Sequence, residues 1–511
     1  MSRTMRQEGL VYQDKVSSLR VAVCGSHEIL HQAVSSIASQ LGIEDFPCDP
    51  ESADHLLLLH DAVAPPSAEP KPSTRILLLH DGVRITGPED LRGGSPSRLQ
   101  LPGLSMAGAS LAFQEVLRQH DCVRRVDVVK THLTVQFRMD PRDLPAGTDP
   151  SGEFQIKGPD GSLIPLFCRE WDDGTGHISL IGRMETDSES TAALLQNVEL
   201  IDKGASLGED EAVTAEIRIP RQTGDVRGTA VVVGAGGLGS WALICFSEGL
   251  ENAGHSGSGI EVAILDPDVE IELHNLNRQV LYTEGDIGFP KAFAASAVIE
   301  AKLPYADIVS GVQSVGVPEL ELIREGVSEG LEDDCDPLDI GIEILALPPS
   351  SICDILSRAN AVVSGVDNLR SRAILSAISA RLGIPMINAG AAGWSGHMDV
   401  LRPDESCMVC RYGPGVARDA RVASCQEDGE IPFSSIVTST ALFGALQGLA
   451  LLAALSDDPK PLASWPGQIV WGGRANTVTM VNGPSKGAFH DAESSHESHL
   501  VAALFPVATH A

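Results

Sequence analysis

The sequence predicts an α/β protein with two Rossmann-like folds, the first degenerate, and a small β-rich insert between them. Three observations predict it. The apolar run at 229–233 passes directly into Gly234-Ala-Gly-Gly-Leu-Gly239 and then a helix-like segment. A similar run, Leu19-Arg-Val-Ala-Val23, leads into Cys24-Gly-Ser-His-Glu-Ile29, where the glycines are missing. Two apolar helices rich in small residues, 103–117 and 435–449, echo each other in the two halves.

The second half carries the chemistry. Glycines 234, 236, 237 and 239 let backbone approach a phosphate, and the helix that follows supplies N–H groups and a positive dipole end. A second strand, 262–265, ends on Asp266-Pro-Asp268, an acid placed to take ribose hydroxyls. The interval from Gly239 to Asp266 exceeds the usual spacing of about 20 residues. The polar stretch 252–259 accounts for the excess as a loop insertion. Next come His274-Asn-Leu-Asn-Arg-Gln279 and Pro290-Lys291. Arg278 and Lys291 can neutralise a triphosphate and the charge that develops on leaving pyrophosphate. Asn275 and Gln279 can fix its orientation. The run 361–366 delivers Asp367-Asn368, and an acid at a strand's carboxyl end beside phosphates suits Mg²⁺. An NAD-dependent oxidoreductase on the same fold is the alternative, but hydride transfer has no use for the basic pair.

Gly-x-Gly-Gly-x-Gly, Asp-x-Asp, Asn-Leu-Asn-Arg-Gln, Pro-Lys and Val-Asp-Asn together resemble the ThiF/MoeB and ubiquitin-activating enzymes, over roughly residues 226–480. The resemblance implies two ThiF-type adenylation folds and adenylation of the C-terminal glycine of a ubiquitin-like protein. It assigns ribose to Asp266, phosphates to Asn275, Arg278 and Lys291, and Mg²⁺ to Asp367. The stretch from Asp266 to Arg278 is one residue longer than the family pattern, which leaves the placement of Asp268 and His274 open.

The domains expected are 1–140 (inactive adenylation-like), 141–225 (β-rich insert and linker), 226–485 (active adenylation, with a crossover loop at about 411–434) and a tail, 486–511. In the first half, strand-like runs 54–60 and 75–80 are each followed by an acid, Asp61 and Asp81. Without the glycines, close approach to phosphate is lost, so no nucleotide is expected there; a generic α/β domain is the other reading. In related enzymes an N-terminal Arg of one copy reaches the other copy's ATP. Arg3-Thr-Met-Arg6-Gln7 resembles that motif with Thr4 in place of an aromatic, making Arg6 an arginine finger from the inactive half. The halves would then pair within the chain or across a homodimer.

Ten cysteines invite thiol or metal chemistry. Cys407-Met-Val-Cys410 is half a zinc site. No cysteine follows Cys425, but His490, His496 and His499 lie where a second pair would fall. A Cys₂His₂ site and a polar tail both remain open. Cys425 sits among Arg418, Arg421, Glu427 and Asp428 in the expected crossover loop. In some relatives a cysteine there attacks the acyl adenylate to form a thioester; in others it takes no part.

The net charge of −32 argues against nucleic acid as a partner. No apolar run of about 20 residues is present, so no membrane span is expected. The first residues lack an apolar signal region, which makes a cytoplasmic location the expectation. The function expected is ATP-dependent activation of a ubiquitin-like protein, with transfer to Cys425 and then to a conjugating enzyme. By resemblance, this occurs in bacterial conjugation cassettes, some tied to antiviral defence. Adenylation alone, for sulfur transfer or peptide modification, is the alternative.

Overall fold

The computed structural model describes residues 7, 10–63, 71–90, 92–124, 126–130, 134–139, 154–157, 163–169, 179–185, 214–325, 349–417, 435–481 and 495–505. Arg6, Cys425 and His490 lie outside them.

A five-stranded sheet opens the chain. It comprises β1 (Val21–Cys24), β2 (His55–Leu59), β3 (Ser73–Leu79), β4 (Gly82–Thr86) and β10 (Ala215–Arg218), in that spatial order. A second antiparallel sheet holds β5 (Val126–Lys130), β6 (Thr134–Met139), β7 (Phe154–Lys157), β8 (Leu163–Arg169) and β9 (Ser179–Glu185). The insert therefore opens at residue 126, ahead of the expected 141. Residues 215–218, expected in the insert and linker, belong to the first sheet, where β10 pairs with β4.

The third sheet has eight strands: β11 (Gly228–Val233), β12 (Ile260–Leu265), β13 (Asp307–Gly311), β14 (Ala361–Ser364), β15 (Met386–Ala392), β16 (Ser395–Leu401), β17 (Gln468–Gly472) and β18 (Thr477–Val481). Their order is β13-β12-β11-β14-β15-β16-β17-β18. The chain's Val-Ile-Leu-rich strands, such as β11 and β12, are buried almost throughout, as strands of a parallel sheet covered on both faces must be.

The first and third sheets repeat one connectivity. In the first sheet the pairings run parallel, parallel, antiparallel, antiparallel. The same sequence runs through β11, β14, β15, β16 and β17. Helix α1 (Glu28–Leu41) matches α3 (Gly237–Ala253), and α2 (Leu101–Gln119) matches α7 (Val437–Ala454). β12, β13 and α4 (Lys291–Lys302) have no counterpart, since residues 42–54 run from α1 to β2 without a strand or helix. The first half has thus lost the whole unit carrying an acid, arginine and lysine, as well as its glycines.

The two halves share one hydrophobic core. A Cβ on Gly103 of α2 would fall 2.6 Å from the Leu449 side chain of α7. Polar clamps fix the register. Gln114 of α2 accepts from the Thr438 hydroxyl (2.9 Å) and donates to the Gly473 carbonyl (2.8 Å). Helix α7 is long and apolar enough to cross a membrane, yet 94% of it is buried inside the fold. A helix apolar all round needs such cover.

Candidate active site

β11 runs directly into Gly234, which has φ +92°, a conformation that favours glycine. A Cβ there would lie 2.6 Å from the Gly365 carbonyl carbon, beyond β14. A Cβ on Gly239 would lie 1.9 Å from the Gly234 oxygen, and one on Gly365 2.4 Å from it. These three glycines are required by the chain's own packing. Gly236 differs: its nearest neighbour would be the Gln279 amide nitrogen at 4.0 Å. Its open side, at the N-terminus of α3, is where an anion can reach backbone N–H groups.

Asp266, at the end of β12, is buried and turned onto this loop. It accepts from the Ala235 N–H (2.6 Å) and the Asp268 N–H (2.9 Å). Burial pushes its carboxyl up to about 6; Lys291 opposes this, and Asp268 adds to it. Before it takes any ribose, this acid therefore shapes the glycine turn. Asp268 is the more open acid and forms an ion pair with buried Lys291, the first residue of α4.

Asn275 also serves the fold. Its side-chain oxygen accepts from the Glu272 N–H (2.9 Å), capping a short turn. Arg278 donates to the His274 carbonyl (2.9 Å) and to Asn277 (3.0 Å). Its own carbonyl accepts from the Trp241 indole (2.9 Å). Its side chain passes 3.6 Å from where a Gly237 Cβ would sit. Arg278 and Gln279 thus converge on the glycine turn. Asp367 is exposed just beyond Gly365, and Asn368 caps helix α5 (Leu369–Leu382) by accepting from the Ser371 N–H (2.7 Å).

The structure gathers Gly234, Gly236, Gly237, Gly239, Asp266, Asp268, Arg278, Gln279, Lys291 and Asp367 at the carboxyl ends of β11, β12 and β14. Backbone N–H groups at the start of α3, the cationic side chains of Arg278 and Lys291 and the exposed carboxylate of Asp367 are thus gathered at one edge of the sheet. Gly365 was missed in the sequence. Its signal, a glycine directly after an apolar strand, marks close backbone approach.

The protonation of Asp266 predicts a pH effect. Below about pH 4 both folded and unfolded chains hold this proton. As pH rises from about 4 to 6, the unfolded chain releases it first, so the native state loses stability through this group. The difference in melting temperature between wild type and Asp266→Asn should change across that window and stay level above it. A difference that stays constant from pH 4 to 7 would contradict the assignment.

A second cluster lies elsewhere on the domain. Cys407 and Cys410, flanking the start of α6 (Met408–Tyr412), have Sγ atoms 3.4 Å apart. His496, the first residue of α8 (His496–Leu504), places Nδ1 3.5 Å from Cys410 Sγ. All three are buried, with donor atoms within 4.8 Å of one another. Two thiols and an imidazole suit zinc. The expected polar tail is thus, over 495–505, a docked helix. His499 is not one of the three.

The chain is 28% identical over 243 residues to the adenylyltransferase and sulfurtransferase MOCS3 of Arabidopsis thaliana, covering 47% of this chain and 42% of that protein. It is 25% identical over 232 residues to the SAMP-activating enzyme E1 of Haloferax volcanii, covering 45% of this chain and 68% of that one. Among solved structures, Escherichia coli MccB with ATP aligns with a TM-score of 0.36 and 16% identity, over 51% of this chain and 63% of that one. The match spans less than half of the plant relative's length. Residues 221–469, which include the glycine turn, the two acids after β12, Arg278, Lys291 and Asp367, match the ThiF family, and the chain carries a ThiF-family domain.

Proposed function

We propose that this chain activates a ubiquitin-like protein by adenylating its C-terminal glycine at the expense of ATP. The observation that carries the reading is the convergence of the glycine turn, Arg278, the Lys291–Asp268 pair and Asp367 at three strand ends. Backbone N–H groups at the start of α3 would hold the phosphates, and Asp266 or Asp268 the ribose. Asp367 would hold Mg²⁺, which would supply charge neutralisation on the phosphates. Arg278 and Lys291 would stabilise the pyrophosphate as it departs. The substrate carboxylate oxygen bonds to the α-phosphorus as the bond from that phosphorus to the bridging oxygen breaks. Arg6 would close the site from the first half; its neighbour Gln7 is buried against that half, donating to the Leu41 carbonyl (2.9 Å). Cys425 would then attack the acyl carbon and release AMP, leaving a thioester for a conjugating enzyme. Zinc at Cys407, Cys410 and His496 would be structural.

The test is exchange of labelled pyrophosphate into ATP, dependent on a ubiquitin-like protein ending in glycine. Cys425→Ala should keep exchange and lose a thioester that reducing agent cleaves. No exchange with any such protein would sink the reading. Unchanged overall activity in Cys425→Ala would favour adenylation alone, a role supported by the naming of the plant relative as a sulfurtransferase as well.

A further inference from the structure

Beneath the Asp367 tip lies a buried guanidinium that takes no part in the steps above. Arg372, in the first turn of α5, donates through Nη1 to Asn388 Oδ1 (2.8 Å) and to the Ala389 carbonyl, and through Nη2 to the Val366 carbonyl. It therefore ties the segment just past the carboxyl end of β14 to the middle of β15. Its acceptors are two carbonyls and an amide, so among the described residues no carboxylate bonds it directly. Burial pushes its pKa down, while Tyr412, Asp367 and Asp399 oppose that. Asn388 in turn donates to buried Asp399 (3.1 Å), which also accepts from the Tyr412 hydroxyl.

Asp367 has little of its own to hold it: it is exposed, and among the described residues only the Asn368 amide donates to it, at 3.4 Å. The orientation of its carboxylate depends on the Val366–Asp367 peptide, and Arg372 fixes that peptide from below. We infer that Arg372 is a positioning residue that sets Asp367 for its divalent cation by bracing β14 against β15. This inference rests on the reading of Asp367 as the metal-binding acid.

The first half provides an internal control. Arg75 of β3 is equally buried and donates to the carbonyls of His60 (2.8 Å), Ala62 (2.7 Å) and Pro88 (2.7 Å), bracing the end of β2, the counterpart of β14. That half lacks the strand that would bring a ribose acid, arginine and lysine. Arg75→Lys should therefore lower the melting temperature without touching metal dependence.

The measurement is equilibrium binding of ATP to the full chain, with Mg²⁺ and with chelator. Arg372→Lys keeps the charge but cannot span three acceptors. It should shrink the gain in ATP affinity that Mg²⁺ confers by about 10-fold, as loss of a metal ligand's supporting partner does, and leave metal-free ATP binding unchanged. Asn388→Ser, which removes one acceptor and keeps Arg372, should shift the gain less, in the same direction. Two results overturn the inference: a Mg²⁺ gain in both variants equal to wild type, or losses matched by Arg75→Lys at equal melting temperature. This readout needs no turnover. A wild-type chain that binds MgATP but exchanges no pyrophosphate would sink the proposed function while leaving the role of Arg372 to its own result.

Discussion

Lys291→Ala is expected to lower pyrophosphate exchange by about 10²–10³, the loss usual when one preorganised group that stabilises developing charge is removed. The electrostatics of the turn make the loss larger than that of a missing contact. Lys291 is buried, and its ammonium forms an ion pair with Asp268, which is about a third exposed. Asp266 lies next to them and is held up to about 6 by burial, with Lys291 pulling in the other direction. Without the lysine, the Asp268 carboxylate loses its paired cation, and both acids lie beside the loop that should receive a triphosphate. Asp266 would then rise further above the usual carboxylate range. Breaking a buried pair by removing one partner leaves the other's charge uncompensated. The double variant Lys291→Ala/Asp268→Asn separates the two effects. It should recover part of the ATP affinity lost by the single variant, because the repulsion is gone. It should not recover exchange, because the group proposed to meet the departing pyrophosphate is still missing. Titration calorimetry for ATP, exchange for turnover and a melting curve for the fold are the measurements. A double variant that exchanges at the wild-type rate would show that Lys291 serves only to neutralise Asp268.

The parts of this site that were legible in the sequence are those whose chemistry lies along one stretch of chain. The glycines at 234–239, Asp266, Arg278 and Lys291 fall in chain order after a strand, at the start of a helix, after a second strand and beyond its loop, and their residue types point to the edge where the structure gathers them. What was not legible is what crosses between strands. Gly365 matters because Gly234 and Gly239 press against it, and no local pattern reveals that. Asn388 looks like an interruption in an apolar strand until Arg372 and Asp399 are seen on either side. Asn275 was read as a phosphate ligand by its place in the motif; that its side-chain oxygen also caps its own turn is visible only in the structure. The insert was placed too late because Val126–Lys130 alternates like any strand of the first domain, and only its pairing with β6 assigns it elsewhere. β10 is four residues long, and its membership of the first sheet rests on a partner strand far upstream. Loss of the glycines from the first half was visible, but absence of an entire strand–helix unit is a matter of topology.

Removal of a metal from Cys407, Cys410 and His496 should release helix α8 from the domain. The energies decide this. Leu500, Ala503 and Leu504 are the apolar side chains that α8 buries in the second core. At about 1.5–3 kcal/mol for a fully buried leucine, less the cost of ordering the segment, they hold the helix weakly. Glu497 adds contacts to Arg324 and Arg381, both at 3.7 Å and partly exposed, and such pairs contribute about 0–1 kcal/mol. A structural zinc site is worth about 10 kcal/mol or more. If zinc is bound, it is the dominant fastening. The purified chain should then carry one zinc, and His496→Ala, which removes a direct ligand, should weaken its retention against a chelator by more than the about 10–100-fold that loss of a ligand's supporting partner costs. Chelation should expose residues 495–505 to protease. Loss of exchange should come later and be partial, because α8 packs on α5, the helix that starts beside Asp367 and carries Arg372. A chain free of zinc, with residues 495–505 equally protected with and without chelator, would instead assign the docking of α8 to its packing and ion pairs alone.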